Sequence, residues 1–92
     1  MNFFLENLNN LSKNEFNNIT VRNLLFLLVG ARIQQEKGYF TIADIAKNTN
    51  SSKQRVYHML KAYDEFIEKL DSGKYRIGAY LFDKLTPFFK LI

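Results

Sequence analysis

Between Thr20 and Gly38 the chain carries two apolar stripes side by side, and no other feature constrains its fold as tightly. Thr20 is a residue type that caps helix starts and Gly38 one that ends them, so the segment between them reads as a helix. Val21, Leu24, Leu25 and Leu28 form one stripe, and Phe26, Val29 and Ile33 form a second beside it. Together they cover more than half of the helix circumference, so this helix must be buried on two sides. The terminal segments or a second subunit would supply the remaining cover.

With 92 residues the chain has room for one core, and 47% hydrophobic content is enough to build it. Residues 1–19 are rich in Asn, with Phe4, Leu8 and Leu11 at helical spacing, and they read as a short helix. A second start signal of the capping-box type, Ser12 followed by Glu15, lies within them. After Gly38, Tyr39 and Phe40 lead into Thr41, which with Asp44 forms another helix start. Ile42, Ala43, Ile45 and Ala46 then make a helix of two turns, and Asn48 to Asn50 break it, because Asn tolerates the left-handed backbone of a tight turn. Ser51 or Ser52 caps the next helix, in which Val56, Met59, Leu60 and Tyr63 recur at i, i+3, i+4 and i+7 as one core stripe. From Phe66 the period changes. Phe66 to Leu70 and Lys74 to Gly78 flank Asp71, Ser72 and Gly73 as a β-hairpin. Ala79 to Leu85 is again helical, and Pro87 kinks or ends that helix.

Composition removes several classes of function. The chain has no cysteine and one histidine, His58, so disulfide scaffolds, thiolate metal sites, cysteine nucleophiles and zinc sites built on two imidazoles are excluded. Its longest strongly apolar run, Leu24 to Val29, is far below the roughly 20 residues of a membrane span. The first residues lack the basic and small-residue marks of a secretory signal. A soluble, cytoplasmic protein is expected, with no membrane partner. Phosphate-binding loops, nucleophile–base pairs and glycine-rich nucleotide fingerprints do not occur, so no enzyme, cofactor or small-molecule ligand is expected.

The net charge of +4 is modest, and its placement says more. Lys47, Lys53, Arg55 and Lys61 fall in a stretch without acids, whereas Asp64, Glu65, Glu68 and Asp71 gather after it. At about 100° per residue, a helix burying Val56, Met59, Leu60 and Tyr63 shows Gln54, Tyr57, His58 and Lys61 on its far side, with Lys53 and Arg55 on the flanks. Those side chains are hydrogen-bond donors. Gln and Arg read base edges in a major groove, while Lys and Ser hold phosphates; Ser52, Lys53 and the first backbone amides suit an anion. Lys74 and Arg76 on the hairpin add charge beside the inward-facing Tyr75.

Helix, short helix, tight turn, helix, hairpin, helix is the order of a winged helix-turn-helix. The runs TIADIAKNTN (Thr41 to Asn50), SKQRVYHMLK (Ser52 to Lys61) and KYRIG (Lys74 to Gly78) resemble the DNA-binding domain of IclR-type regulators, and MarR-like regulators more distantly. The resemblance runs from about Thr20 to Leu85. Two positions depart from it: Ser51 stands where the turn is usually apolar, and no glycine ends the recognition helix between Glu65 and Phe66. The effector-binding part of such regulators has no counterpart in this sequence.

The expected fold is therefore mainly α with a small β-hairpin wing, a three-helix core plus wing with extra N- and C-terminal helices. It forms one domain over 1–92, with a helical extension at 1–19, a winged-helix core at 20–78 and a C-terminal helix and tail at 79–92. The resemblance implies sequence-specific binding of double-stranded DNA and transcriptional regulation, with the recognition helix, about 52–65, in the major groove and the wing, 66–78, on the backbone or minor groove. The residues expected to touch DNA are Thr41, Ser52, Lys53, Gln54, Arg55, Tyr57, His58, Lys61, Lys74 and Arg76. A homodimer through the terminal helices and the helix at 21–36 is expected.

Plainer readings stand beside these. A basic run is ordinarily a solvated helix face, Tyr57 can pack on its neighbours, and Lys74 and Arg76 can serve only to protect an edge strand. The alternative function is a winged-helix protein-interaction module that binds no DNA.

Overall fold

The computed structural model describes residues 20–92. The expected helix within 1–19, with its Ser12 and Glu15 start signal, lies outside the described residues. Helix α1, Val21–Lys37, is followed by strand β1, Phe40–Thr41, helix α2, Ile42–Thr49, and helix α3, Lys53–Ala62. Strands β2, Ile67–Lys69, and β3, Lys74–Ile77, come next, and helix α4, Ala79–Leu85, runs into a final 3-10 segment, Thr86–Leu91. The described chain is thus mainly helical with one small antiparallel sheet. None of its helices is long and apolar enough to cross a membrane.

The helix starts follow the capping residues. The Thr20 hydroxyl accepts from the Asn23 amide at 3.0 Å, and Gly38 ends α1 in the left-handed region at φ 87°, its amide donating to the Gln34 carbonyl. On α2 the capping box is complete: the Asp44 amide donates to Thr41 Oγ1 and the Thr41 amide donates to the Asp44 carboxylate, both at 3.1 Å. Asn50 takes the left-handed turn at φ 53°, and of the two serines it is Ser52 that caps α3.

Helix α1 is buried on two sides, but with different membership from the stripes read in the sequence. Leu24, Leu27, Leu28 and Ala31 make one buried stripe, and Phe26 and Gly30 are buried on the opposite side. Val21 and Leu25 are exposed, while Val29 and Ile33 are only partly covered. The physical reason lies at Gly30. A Cβ there would stand 3.1 Å from Ile45 and 3.6 Å from the Phe40 ring, so α2 and β1 press against the helix backbone itself. A residue without a side chain therefore marks a packing centre that apolar counting passes over.

The hairpin has the expected strands, in the register Ile67 to Ile77, Glu68 to Arg76 and Lys69 to Tyr75. Ser72 and Gly73 are consecutive left-handed residues, a turn whose twist suits two antiparallel strands. The sheet also has a third member that sequence reading passes over. β1 pairs with β3, Phe40 opposite Tyr75 and Thr41 opposite Lys74, giving the order β1-β3-β2. Two residues are too few to show an alternating pattern. Beyond β1 the edge of β3 is completed by a side chain: the Gln34 amide donates to the Ile77 carbonyl at 3.0 Å and accepts from the Ile77 amide at 2.7 Å.

One boundary is corrected. The expected helix about 52–65 ends at Ala62, with Tyr63 as its cap. No glycine is present to take a left-handed cap, so the chain leaves α3 through a 3-10 turn, Asp64–Phe66, in which the Phe66 amide donates to the Tyr63 carbonyl. At the other end, α4 spans Ala79–Leu85, the bounds read from the sequence. Pro87 cannot continue the α-helical ladder, and the chain changes to 3-10 geometry from Thr86. One core cluster joins α1, β1, α2, α3, β3, α4 and Phe88.

Candidate nucleic-acid interface

The surface of α3 is set by the side it buries. Val56, Met59, Leu60 and, just past the last turn, Tyr63 are all at or below 8% exposure, as their spacing requires. Lys53, Gln54, Arg55, Tyr57, His58 and Lys61 are all exposed. Nothing in the described part of the molecule covers that side. Lys61 Nζ lies 5.6 Å from the centre of the Tyr57 ring, and the Tyr57 and His58 rings are 6.0 Å apart. The face is therefore a loosely self-associated set of donors around one aromatic ring. At the start of α3, Ser52 Oγ accepts from the Arg55 amide at 3.2 Å, which leaves its proton available to a partner.

Two depressions flank this helix. On one side a groove of about 450 Å³ separates α3 from the hairpin, lined by Tyr57, Lys61, Asp64, Lys69 and Tyr75 among others. On the other a smaller cleft of about 220 Å³ separates it from the first turns of α1. Arg22, Arg55 and His58 rim that cleft over a floor of Phe26 and Met59.

The remaining expected residues are held inside the molecule's own network to different degrees. Thr41 is part of the α2 cap and half-buried. Its partner Asp44 also meets Lys37 Nζ at 3.1 Å. Partial burial pushes the Asp44 carboxyl up, but hydrogen bonds from Lys37 and Thr41, with the charge of Lys37, outweigh it and hold the group below its ordinary range. Lys74 Nζ sits 4.5 Å from the Tyr39 ring, with Lys37 on the same ring at 5.0 Å. Arg76 pairs with the cross-strand Glu68 at 3.0 Å while staying exposed. Tyr75 packs inward on Phe40, the two rings stacked at 6.0 Å.

Thus six of the ten expected residues share the exposed side of α3, with Ser52 at its cap. Thr41, Lys74 and Arg76 lie apart from it. Sequence reading misses Lys69, which shares the groove with Tyr57 and Lys61, and Arg22, which shares the cleft with Arg55 and His58. Lys69 is detectable from the hairpin register. Arg22 is not, because only the crossing of α1 and α3 brings it there. Among the described residues no group of three or more His, Cys, Asp or Glu side chains comes together to hold a metal ion. No protein-family model, curated protein or solved structure matches the chain.

Proposed function

We propose that the chain is a winged helix-turn-helix protein, of the IclR-like type, that binds double-stranded DNA sequence-specifically in the cytoplasm and regulates transcription without catalysing a reaction. The observation that carries this reading is α3 itself: one buried stripe, and every nitrogen-bearing side chain of the helix exposed to solvent. The element order α1, β1, α2, α3, β2, β3 supports it, since a hairpin beside an exposed helix is the arrangement a wing needs. In this reading α3 enters the major groove. Gln54 meets base edges, Ser52, Lys53 and Lys61 hold phosphates, Tyr57 packs along the groove wall, and Arg55 and His58 lie on one flank of the helix. Lys74 and Arg76, with Lys69, place the hairpin along a backbone.

A homodimer is part of the proposal. Val21 on α1 is 63% exposed and Leu25 is 38% exposed, and Leu91 and Ile92 are also exposed, apolar area of the kind a second copy covers. Twofold symmetry would present two α3 helices to half-sites one helical turn apart. Sedimentation at micromolar concentration checks this, and a monomer there rejects it.

The decisive test is selection of bound sequences from a random duplex pool at two salt concentrations. An enriched motif and a steep loss of affinity with salt are expected. On the selected duplex, Arg55→Ala or Lys61→Ala should weaken binding by about 1–3 kcal/mol with the circular dichroism spectrum intact. Unchanged affinity in both variants would remove α3 from the interface.

A further inference from the structure

The two depressions beside α3 differ in chemistry. The groove on the hairpin side contains a carboxylate, Asp64, among its lysines. The cleft on the α1 side contains none among the described residues: its polar rim there is Arg22, Arg55, His58 and Asn23. Neither Arg22 nor Arg55 has a carboxylate partner among the described residues. Two guanidinium groups and an imidazole thus line one cleft over an apolar floor of Phe26 and Met59, with no carboxylate partner among the described residues.

Helix geometry explains why the cleft belongs to α3 and not to a separate surface. At about 100° per residue, Arg55, His58 and Ala62 lie along one flank of α3, and Tyr57 and Lys61 lie toward the other. A major groove is about 12 Å wide and is walled by two phosphate backbones, and a helix with its side chains is about as wide. A helix seated there brings each flank against a different backbone. The hairpin can reach only one of them.

We infer that Arg22, Arg55 and His58 form a seat for a backbone phosphate of the same duplex, on the strand opposite the one met by the hairpin. The inference rests on the DNA-binding reading and adds a residue, Arg22, from outside the helix-turn-helix. Planar guanidinium groups suit the task, since each can give two parallel hydrogen bonds to phosphate oxygens. A phosphate contact carries no sequence information, so Arg22 sets affinity and register and leaves the choice of base to α3.

The test is a salt titration of duplex binding with the full chain and its Arg22→Gln and Arg22→Lys variants, beside Arg55→Ala, Lys61→Ala and a Lys90→Gln control. Each phosphate contact contributes about −0.9 to the slope of log K against log salt, which amounts to about eightfold in affinity at 0.1 M salt. Arg22→Gln should lose that factor equally on the selected duplex and on a random one, with the slope shallower by about 0.9. Arg22→Lys should recover most of the slope, and Lys90→Gln should change nothing. Inorganic phosphate, added at matched ionic strength, should compete no better than chloride.

If Arg22→Gln binds with unchanged affinity and slope while Arg55→Ala and Lys61→Ala are weakened, the seat is wrong and the DNA-binding reading stands. Specific competition by inorganic phosphate would make the cleft a free-anion site and overturn the seat in the same way. If the unmodified chain binds no duplex, both fall. Circular dichroism of each variant separates loss of contact from loss of fold.

Discussion

Helices α1 and α3 bury the same pattern and do opposite things with the rest of their surface. Leu24, Leu27, Leu28 and Ala31 on α1 and Val56, Met59, Leu60 and Tyr63 on α3 both recur at i, i+3, i+4 and i+7, and all are nearly inaccessible. On α1 the reverse side is also closed, by Phe26 and by Gly30 lying against Ile45 and Phe40. On α3 every other residue is open to solvent. A four-residue stripe is therefore enough to fix a helix in this small core. What a helix does beyond that depends on whether its second side is occupied, and of these two helices α3 leaves that side uncovered by the described residues.

The largest expected effect tests this asymmetry directly. Leu27→Ala removes a fully buried side chain from the middle of α1 and should cost about 2–5 kcal/mol, enough to threaten the fold. His58→Ala, at the middle of the open side of α3, should change stability by no more than about 0.5 kcal/mol. Denaturant titration of the two variants measures both. A cost for His58→Ala comparable to that of Leu27→Ala would mean that the open side is covered in solution, and the contrast between the helices would be lost.

The next effect concerns a polar residue of α1 that ties the helix to the hairpin. Gln34 lends its amide to the amide and carbonyl of Ile77, in the place where a longer β1 would have paired with β3. Gln34→Leu leaves both groups of Ile77 without that partner and should cost about 2 kcal/mol by chemical denaturation. Gln34→Glu keeps the acceptor for the Ile77 amide but sets a carboxylate against its carbonyl, and should fall between the two. If Gln34→Leu were neutral, the hairpin would be held beside α3 by its apolar contacts alone.

These contacts mark the boundary of what is legible in the sequence. Local signals are readable: Thr20, Thr41, Asn50 and Ser52 each take the capping or turn role their chemistry favours, and the α3 stripe is the one its spacing gives. Contacts between elements distant in sequence are not. Gln34 looks like any solvated helix residue until β3 arrives 43 positions later, and Arg22 looks like a helix-end charge until α3 crosses it. Leu25 reads as core because it is apolar, but none of the described elements crosses that side of α1 closely enough to bury it. The helix end at Ala62 escapes sequence reading because the chain leaves through a 3-10 turn, which has no single diagnostic residue.

A smaller effect lies at the entrance to α2, between α1 and α3 in the chain. Asp44 accepts from the Thr41 amide and from Lys37, and its carboxyl is held below its ordinary range. A carboxyl whose folded value is depressed stabilises the protein fully above its unfolded value, 3.8, and loses that contribution as pH falls through the folded value below it. Asp44→Asn should therefore cost about 0.5–1 kcal/mol at neutral pH. The gap between the variant and the unmodified chain should close as the pH drops below about 4. A gap that stayed constant down to the acid transition would show that the charge of Asp44 contributes nothing to the cap.

The smallest effect on stability carries the most information about the hairpin. Glu68 and Arg76 face each other across β2 and β3 at 3.0 Å, with side chains 55% and 47% exposed. An exposed pair of this kind contributes about 0–1 kcal/mol, so Glu68→Gln should shift the unfolding midpoint barely at all. Binding should respond in the other direction. Glu68 neutralises the guanidinium that the proposed wing would offer to a backbone, and its own charge repels phosphate. Removing that charge should raise duplex affinity severalfold at low salt and steepen the salt dependence, because Arg76 is released to take a phosphate. An affinity that falls in Glu68→Gln would mean that Glu68 positions Arg76 for binding. An affinity that does not move would place the hairpin away from the duplex and leave α3 and the α1 side of its cleft as the whole interface.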